Sequence, residues 1–116
     1  MKSINHESEL NLGVSKYIAI KFGSENCGPC KKLQPNLLKM AEEFQDILFI
    51  DIDIETIPQL AKQYRIQSMP TVVLLKNGRE IDRIVGNVLI DSLRSKFRNL
   101  IKGKYNTADN YISAAE

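Results

Sequence analysis

The sequence predicts an α/β fold: a central mixed β-sheet of four to five strands flanked by helices on both faces. Three observations carry this expectation. Apolar runs rich in β-formers alternate with segments of helical period, and an Asn-Gly dipeptide joins two further strand candidates. An amphipathic helical pattern then follows the hairpin. Strand–helix–strand units pair in parallel through crossovers, whereas a two-residue turn forces an antiparallel pair, so the sheet is mixed.

Taken in order, the segment before residue 16 holds a short strand near Ser3–Asn5 and a brief helix. Lys16–Phe22 reads as a strand ending at Gly23-Ser24. Pro29 then opens a helix whose apolar stripe is Leu33, Leu37, Met40, Ala41 and Phe44, at spacings of three and four. Pro35 falls inside it, removes one backbone donor and is expected to kink the axis. Ile47–Ile54 is a strand with Leu48, Ile50, Ile52 and Ile54 on one face, and a short helix covers Ile57–Tyr64. Thr71–Leu75 and Glu80–Val85 flank the turn Lys76-Asn77-Gly78-Arg79, and Gly86 ends the return strand. The last helix uses Leu89, Leu93, Phe97 and Leu100.

The chain has 116 residues, with no repeat, low-complexity tract or interior linker, which reads as one domain over 1–101 and a tail over 102–116. The tail lacks an apolar period and is expected to fray, with Tyr111 and Ile112 the residues able to dock. A net charge of +2 is too weak a bias for nucleic acid or an anionic membrane as partner. The first residues carry no apolar run before their charges, and no stretch has the length of a membrane span. The expected compartment is therefore the cytoplasm, where structural disulfides are rare.

Two cysteines separated by two residues point to redox chemistry or metal binding. Structural zinc wants four ligands, and His6 is the one further candidate, most simply a solvated residue near a terminus. No metal and no cofactor are expected beyond a redox-active Cys27–Cys30 disulfide. Cys27-Gly28-Pro29-Cys30 lies between a strand and a helix. At the helix start, unpaired amides and the positive end of the helix dipole favour a Cys27 thiolate, and Lys31 and Lys32 add positive charge. Cys30 stands one turn on, placed to attack a mixed disulfide and release the substrate. Pro29 suits an early helical position, where its missing N–H would be unpaired anyway. Asp51, Asp53 and Glu55 alternate on one strand face; the latter two read as solvated, since nothing else completes a metal site.

Over roughly residues 15–101 the chain resembles the thioredoxin family, on Cys27-Gly28-Pro29-Cys30-Lys31, Pro35, Met69-Pro70-Thr71 and Gly86 in that order and spacing. The resemblance implies the thioredoxin fold, and a cis bond before Pro70 that faces the cysteines and turns the Met69 backbone toward them. It also implies a substrate-contact surface of Asn26, Gly28, Pro29, Ile54, Met69, Val85, Gly86 and Asn87. Core packing is the competing account of Ile54 and Val85. The chain departs from the family at Asn26, which replaces the usual tryptophan before the first cysteine, and at Gly23, where an aromatic residue is usual. A third departure is an exchange of charge: Lys21 stands where the family usually carries a buried aspartate behind the second cysteine, and Asp51 where a lysine is common. Either Lys21 and Asp51 form an ion pair beneath Cys30 on neighbouring strands, or Lys21 snorkels to solvent.

The resemblance implies a protein-disulfide reductase in which Cys27, Cys30, Lys21, Asp51 and Pro70 are the catalytic set. Its partners would be disulfide-containing client proteins and a thioredoxin reductase, and the chain is expected to be a monomer. Gly-Pro between the cysteines favours reduction over the oxidase and isomerase relatives. The alternatives are a dedicated relative with a narrow client, or a binding or assembly module of the same fold whose cysteines are incidental.

Overall fold

The structure, a computed structural model, describes residues 1–103. Five strands form one sheet: β1 (Lys2–Ser3), β2 (Tyr17–Gly23), β3 (Ile47–Asp53), β4 (Thr71–Lys76) and β5 (Arg79–Val85), in the spatial order β1-β3-β2-β4-β5. β1, β3 and β2 run parallel, and β4 and β5 are antiparallel, as the crossovers and the hairpin require. The helices are α1 (Gly28–Glu43), α2 (Pro58–Gln63) and α3 (Ile90–Lys102).

Side-chain alternation along the strands builds a core on each face of the sheet. Ile18, Ile20 and Phe22 of β2 join Ile50 and Ile52 of β3 and Leu60 of α2. Ala19 joins Phe49, Val72 and Leu74 with Leu33, Leu37 and Met40 of α1 and Leu93, Phe97 and Leu100 of α3. Helices therefore cover both faces. Each fully buried Leu or Phe contributes roughly 1.5–3 kcal/mol, so these two layers far outweigh any single polar contact. The hairpin forms at Asn77-Gly78, with φ of 52° and 80° as a primed turn demands. α1 runs through the exposed Pro35 as one helix, because the lost bond is confined to the Lys31 carbonyl on its solvent side.

Most boundaries differ from the expectation by a residue: β3 ends at Asp53, α2 is Pro58–Gln63, and Lys76 and Arg79 belong to β4 and β5 rather than to the turn. The first strand is Lys2–Ser3 rather than Ser3–Asn5, and two 3₁₀ turns, Glu7–Glu9 and Leu12–Val14, replace one brief helix. Side chains compete for the backbone there: the Glu9 carboxylate accepts the Asn5 and His6 amides at 2.6 and 3.1 Å, and Asn11 accepts that of Gly13 at 3.0 Å. β2 extends to Gly23, since the Gly23 carbonyl still accepts the Ile54 amide at 2.9 Å. Lys102 belongs to α3 and not to a tail, and Gly103 caps that helix at φ 70°. Residues 104–116, with Tyr111 and Ile112, lie outside the described residues.

Candidate active site

β2 ends at Gly23, and after a three-residue turn Cys27 caps α1. Its sulfur accepts the Cys30 N–H at 3.1 Å, one of the helix's first, otherwise unpaired amides. Cys27 and Cys30 are joined as a disulfide with a Cα–Cα distance of 5.2 Å. The two sulfurs face different surroundings. Cys27 is 8% exposed and stands beside exposed Asn26, Gly28 and Pro29, whereas Cys30 is 1% exposed and lies against the sheet.

The other loops at this end of the sheet are tied to the same place. Thr71 pairs with Phe22, so Pro70 enters β4 beside the end of β2 from which the cysteine turn departs. The Met69–Pro70 peptide bond is cis. The Pro70 carbonyl accepts the Gly86 amide at 2.8 Å, and Gly86 takes φ 84°, a conformation other residues rarely adopt. Ile54, bonded to Gly23, completes the cluster.

Beneath Cys30 the alternation puts two charges between the sheet and α1. Lys21 and Asp51 are direct partners in the parallel β2–β3 register. The Lys21 Nζ stands 3.4 Å from Asp51 Oδ1, with side-chain exposures of 10% and 25%. It donates to Gln34 Oε1 at 2.9 Å, and Gln34 Nε2 donates to Asp51 Oδ2 at 3.5 Å. A Cβ placed on Gly23 would meet Cys30 Sγ at 3.0 Å and Lys21 Nζ at 3.4 Å, so the ammonium and the sulfur flank one point. A cleft of about 480 Å³ lined by Lys21, Asn26, Cys30, Lys31 and Gln34 opens beside them. A second, of about 360 Å³, shares Lys21 and reaches Asp51 and Asp53.

A family model described as thioredoxin matches residues 1–99. The chain belongs to the thioredoxin family. Among thioredoxins it is 38% identical over 90 residues to one from Chlamydia trachomatis, covering 78% of this chain and 88% of that one. It is 39% identical over 72 residues to thioredoxin H2 of Arabidopsis thaliana, covering 62% of this chain and 54% of that one. The chain thus spans about half the length of the H2-type relatives that it matches. Oxidised mitochondrial thioredoxin 3 of Saccharomyces cerevisiae superposes with a TM-score of 0.78 at 29% identity, over 85% of this chain and 94% of that one.

The residues named from sequence fall into three groups in space: the cysteine turn, the neighbouring loops at that end of the sheet, and the Lys21–Asp51 pair. Cys27, Cys30, Asn26, Gly28 and Pro29 share the turn and first helical turn, and Ile54, Met69, Pro70, Val85, Gly86 and Asn87 stand at the same end of the sheet. Val85 is 54% exposed and so is not a core residue, whereas Ile54 is half-buried against the α2-side core. Lys21 is 8% exposed and paired with Asp51, so it does not snorkel. Asp53 is half-buried and accepts the Glu55 amide at 2.8 Å; only Glu55 is fully solvated. Gln34 was not among the candidates. Its signal was its spacing: four residues after Cys30, it occupies the same helix face one turn on, as a polar residue beside buried Leu33.

Proposed function

We propose that this thioredoxin is a dithiol–disulfide oxidoreductase that reduces disulfides in client proteins. The reduced protein presents a Cys27 thiolate, held by the Cys30 amide and the start of α1. The thiolate attacks one client sulfur; the client S–S bond breaks, and the departing thiolate takes up a proton. Cys30, as thiolate, then attacks Cys27 in the mixed disulfide, forming the Cys27–Cys30 bond and releasing the second client thiol. Two electrons pass to the client. The observation that carries this reading is the redox pair itself, one sulfur at a helix start and the more exposed of the two, the other more deeply buried one turn on.

The client contacts would come from Asn26, Gly28, Pro29, Ile54, Met69, Val85, Gly86 and Asn87, with an extended client segment pairing along the Met69 backbone beside Pro70. Val85 and Leu89, 54% and 79% exposed, offer apolar area there. Lys21 would favour the Cys30 thiolate by its charge, and Asp51 would hold Lys21 in place. A thioredoxin reductase would restore the dithiol, and the protein would act as a cytoplasmic monomer. Exposed Asn26 makes the rim of Cys27 polar, the feature that supports the alternative of a dedicated relative with a narrow client. Insulin reduction with and without a thioredoxin reductase tests the proposal. The wild-type protein is expected to reduce insulin with either a reductase or a chemical dithiol as donor, and Cys27→Ser to lose the activity. Failure with both donors would overturn the general reductase reading.

A further inference from the structure

We propose that Gln34 is a positioning residue, whose carboxamide fixes the Lys21 ammonium beneath Cys30 and so sets how readily Cys30 becomes the resolving thiolate. The inference rests on the reading that Lys21 acts on Cys30. An ammonium only donates and a carboxylate only accepts, so a group spanning the two must accept on one side and donate on the other. Gln34 does so, with Oε1 on Lys21 Nζ and Nε2 on Asp51 Oδ2. The distances rank the two holds on Lys21. The contact to Asp51 is 3.4 Å, long for a charge-assisted hydrogen bond, while that to Gln34 is 2.9 Å. The helix, more than the neighbouring strand, therefore places the ammonium. Gln34 and Cys30 are consecutive-turn neighbours on α1, so the same rigid element carries the thiol and the group that aims the charge at it. The missing side chain at Gly23 leaves room where a Cβ would crowd both the Cys30 sulfur and the end of the Lys21 side chain. The other charged groups lining the two clefts beside Cys30 and Lys21 are Glu25 from the turn, Lys31 from α1, and Asp51 and Asp53 from β3.

The test is a titration of Cys30 in a Cys27→Ser background, read by the ultraviolet absorbance of the thiolate, which needs no reagent access. Lys21→Met is expected to raise the midpoint, and Gln34→Met to raise it as well, by roughly three- to tenfold in proton affinity. In the Lys21→Met background, Gln34→Met is expected to add nothing. Gln34→Ala, which suits a helix, is expected to shift the midpoint in the same direction and serves where the Met variant unfolds. No shift with either Gln34 variant, or an equal shift with and without Lys21, would overturn the positioning role. If Lys21→Met itself leaves the midpoint unmoved, the reading of Lys21 fails instead, and Gln34 with it.

Discussion

At the scale of single residues, position makes two identical thiols unlike. Cys27 caps a helix at 8% exposure beside exposed Asn26, Gly28 and Pro29, while Cys30, at 1% exposure, lines a cleft with Lys21. Reversing Lys21 and Asp51 tests the electrostatic part. A cation beside Cys30 favours the reduced form, so the wild-type protein is expected to be a stronger oxidant than the double variant Lys21→Asp/Asp51→Lys in equilibration with glutathione. Lys21→Asp alone places two carboxylates at one site. Because Asp51 keeps 25% of its side-chain surface and both charges line open clefts, the cost should lie between the limits for exposed and buried pairs, roughly 1–3 kcal/mol by chemical denaturation. The double exchange should restore most of it; additive losses would mean that the two residues do not interact. The pair was legible only through the family resemblance, as an exchange of the charges usual at these two positions; the β2–β3 register then sets the two residues side by side. The spacing of Gln34 from Cys30 puts it on the same helix face, but its bridge to Lys21 and Asp51 depends on how α1 packs over two strands, which no local pattern encodes.

At the scale of elements, α1 does two tasks: its first turn carries the cysteines and its far end is tied to α3. Arg94 of α3 donates to both Glu43 oxygens, at 2.9 and 3.1 Å, and to Asp91 at 3.0 Å. The Arg94 guanidinium holds the Glu43 carboxyl below the ordinary carboxylate range. A carboxyl depressed in the folded state stabilises it above the unfolded value and ceases to do so as pH falls through the folded one. Arg94→Gln is therefore expected to lower the melting temperature slightly at neutral pH and to match the wild type in acid. A deficit that persists below the carboxylate range would assign the effect to lost packing of the Arg94 stem. Strand and helix periods were legible throughout, and so was the Asn77-Gly78 turn. The N-terminal segment was not, because side-chain capping by Glu9 and Asn11 outcompetes a longer helix there.

At the scale of the whole molecule, two apolar layers hold a sheet whose one end gathers the cysteine turn, Ile54, Pro70 and Gly86. The polar cluster of Lys21, Asp51 and Gln34 lies on the α1 face of the sheet, at the same end as the cysteine turn. The fold class and the redox pair followed from pattern and spacing, whereas the cis bond before Pro70 followed only from resemblance, since an X–Pro bond is ordinarily trans. The central claim is that Cys27 attacks and Cys30 resolves, and trapping decides it most directly. Cys30→Ser incubated with a disulfide-containing polypeptide is expected to accumulate a mixed disulfide that peptide mapping by mass spectrometry places on Cys27, while Cys27→Ser accumulates none. Trapping through Cys30 in the Cys27→Ser variant at a comparable rate would contradict the account.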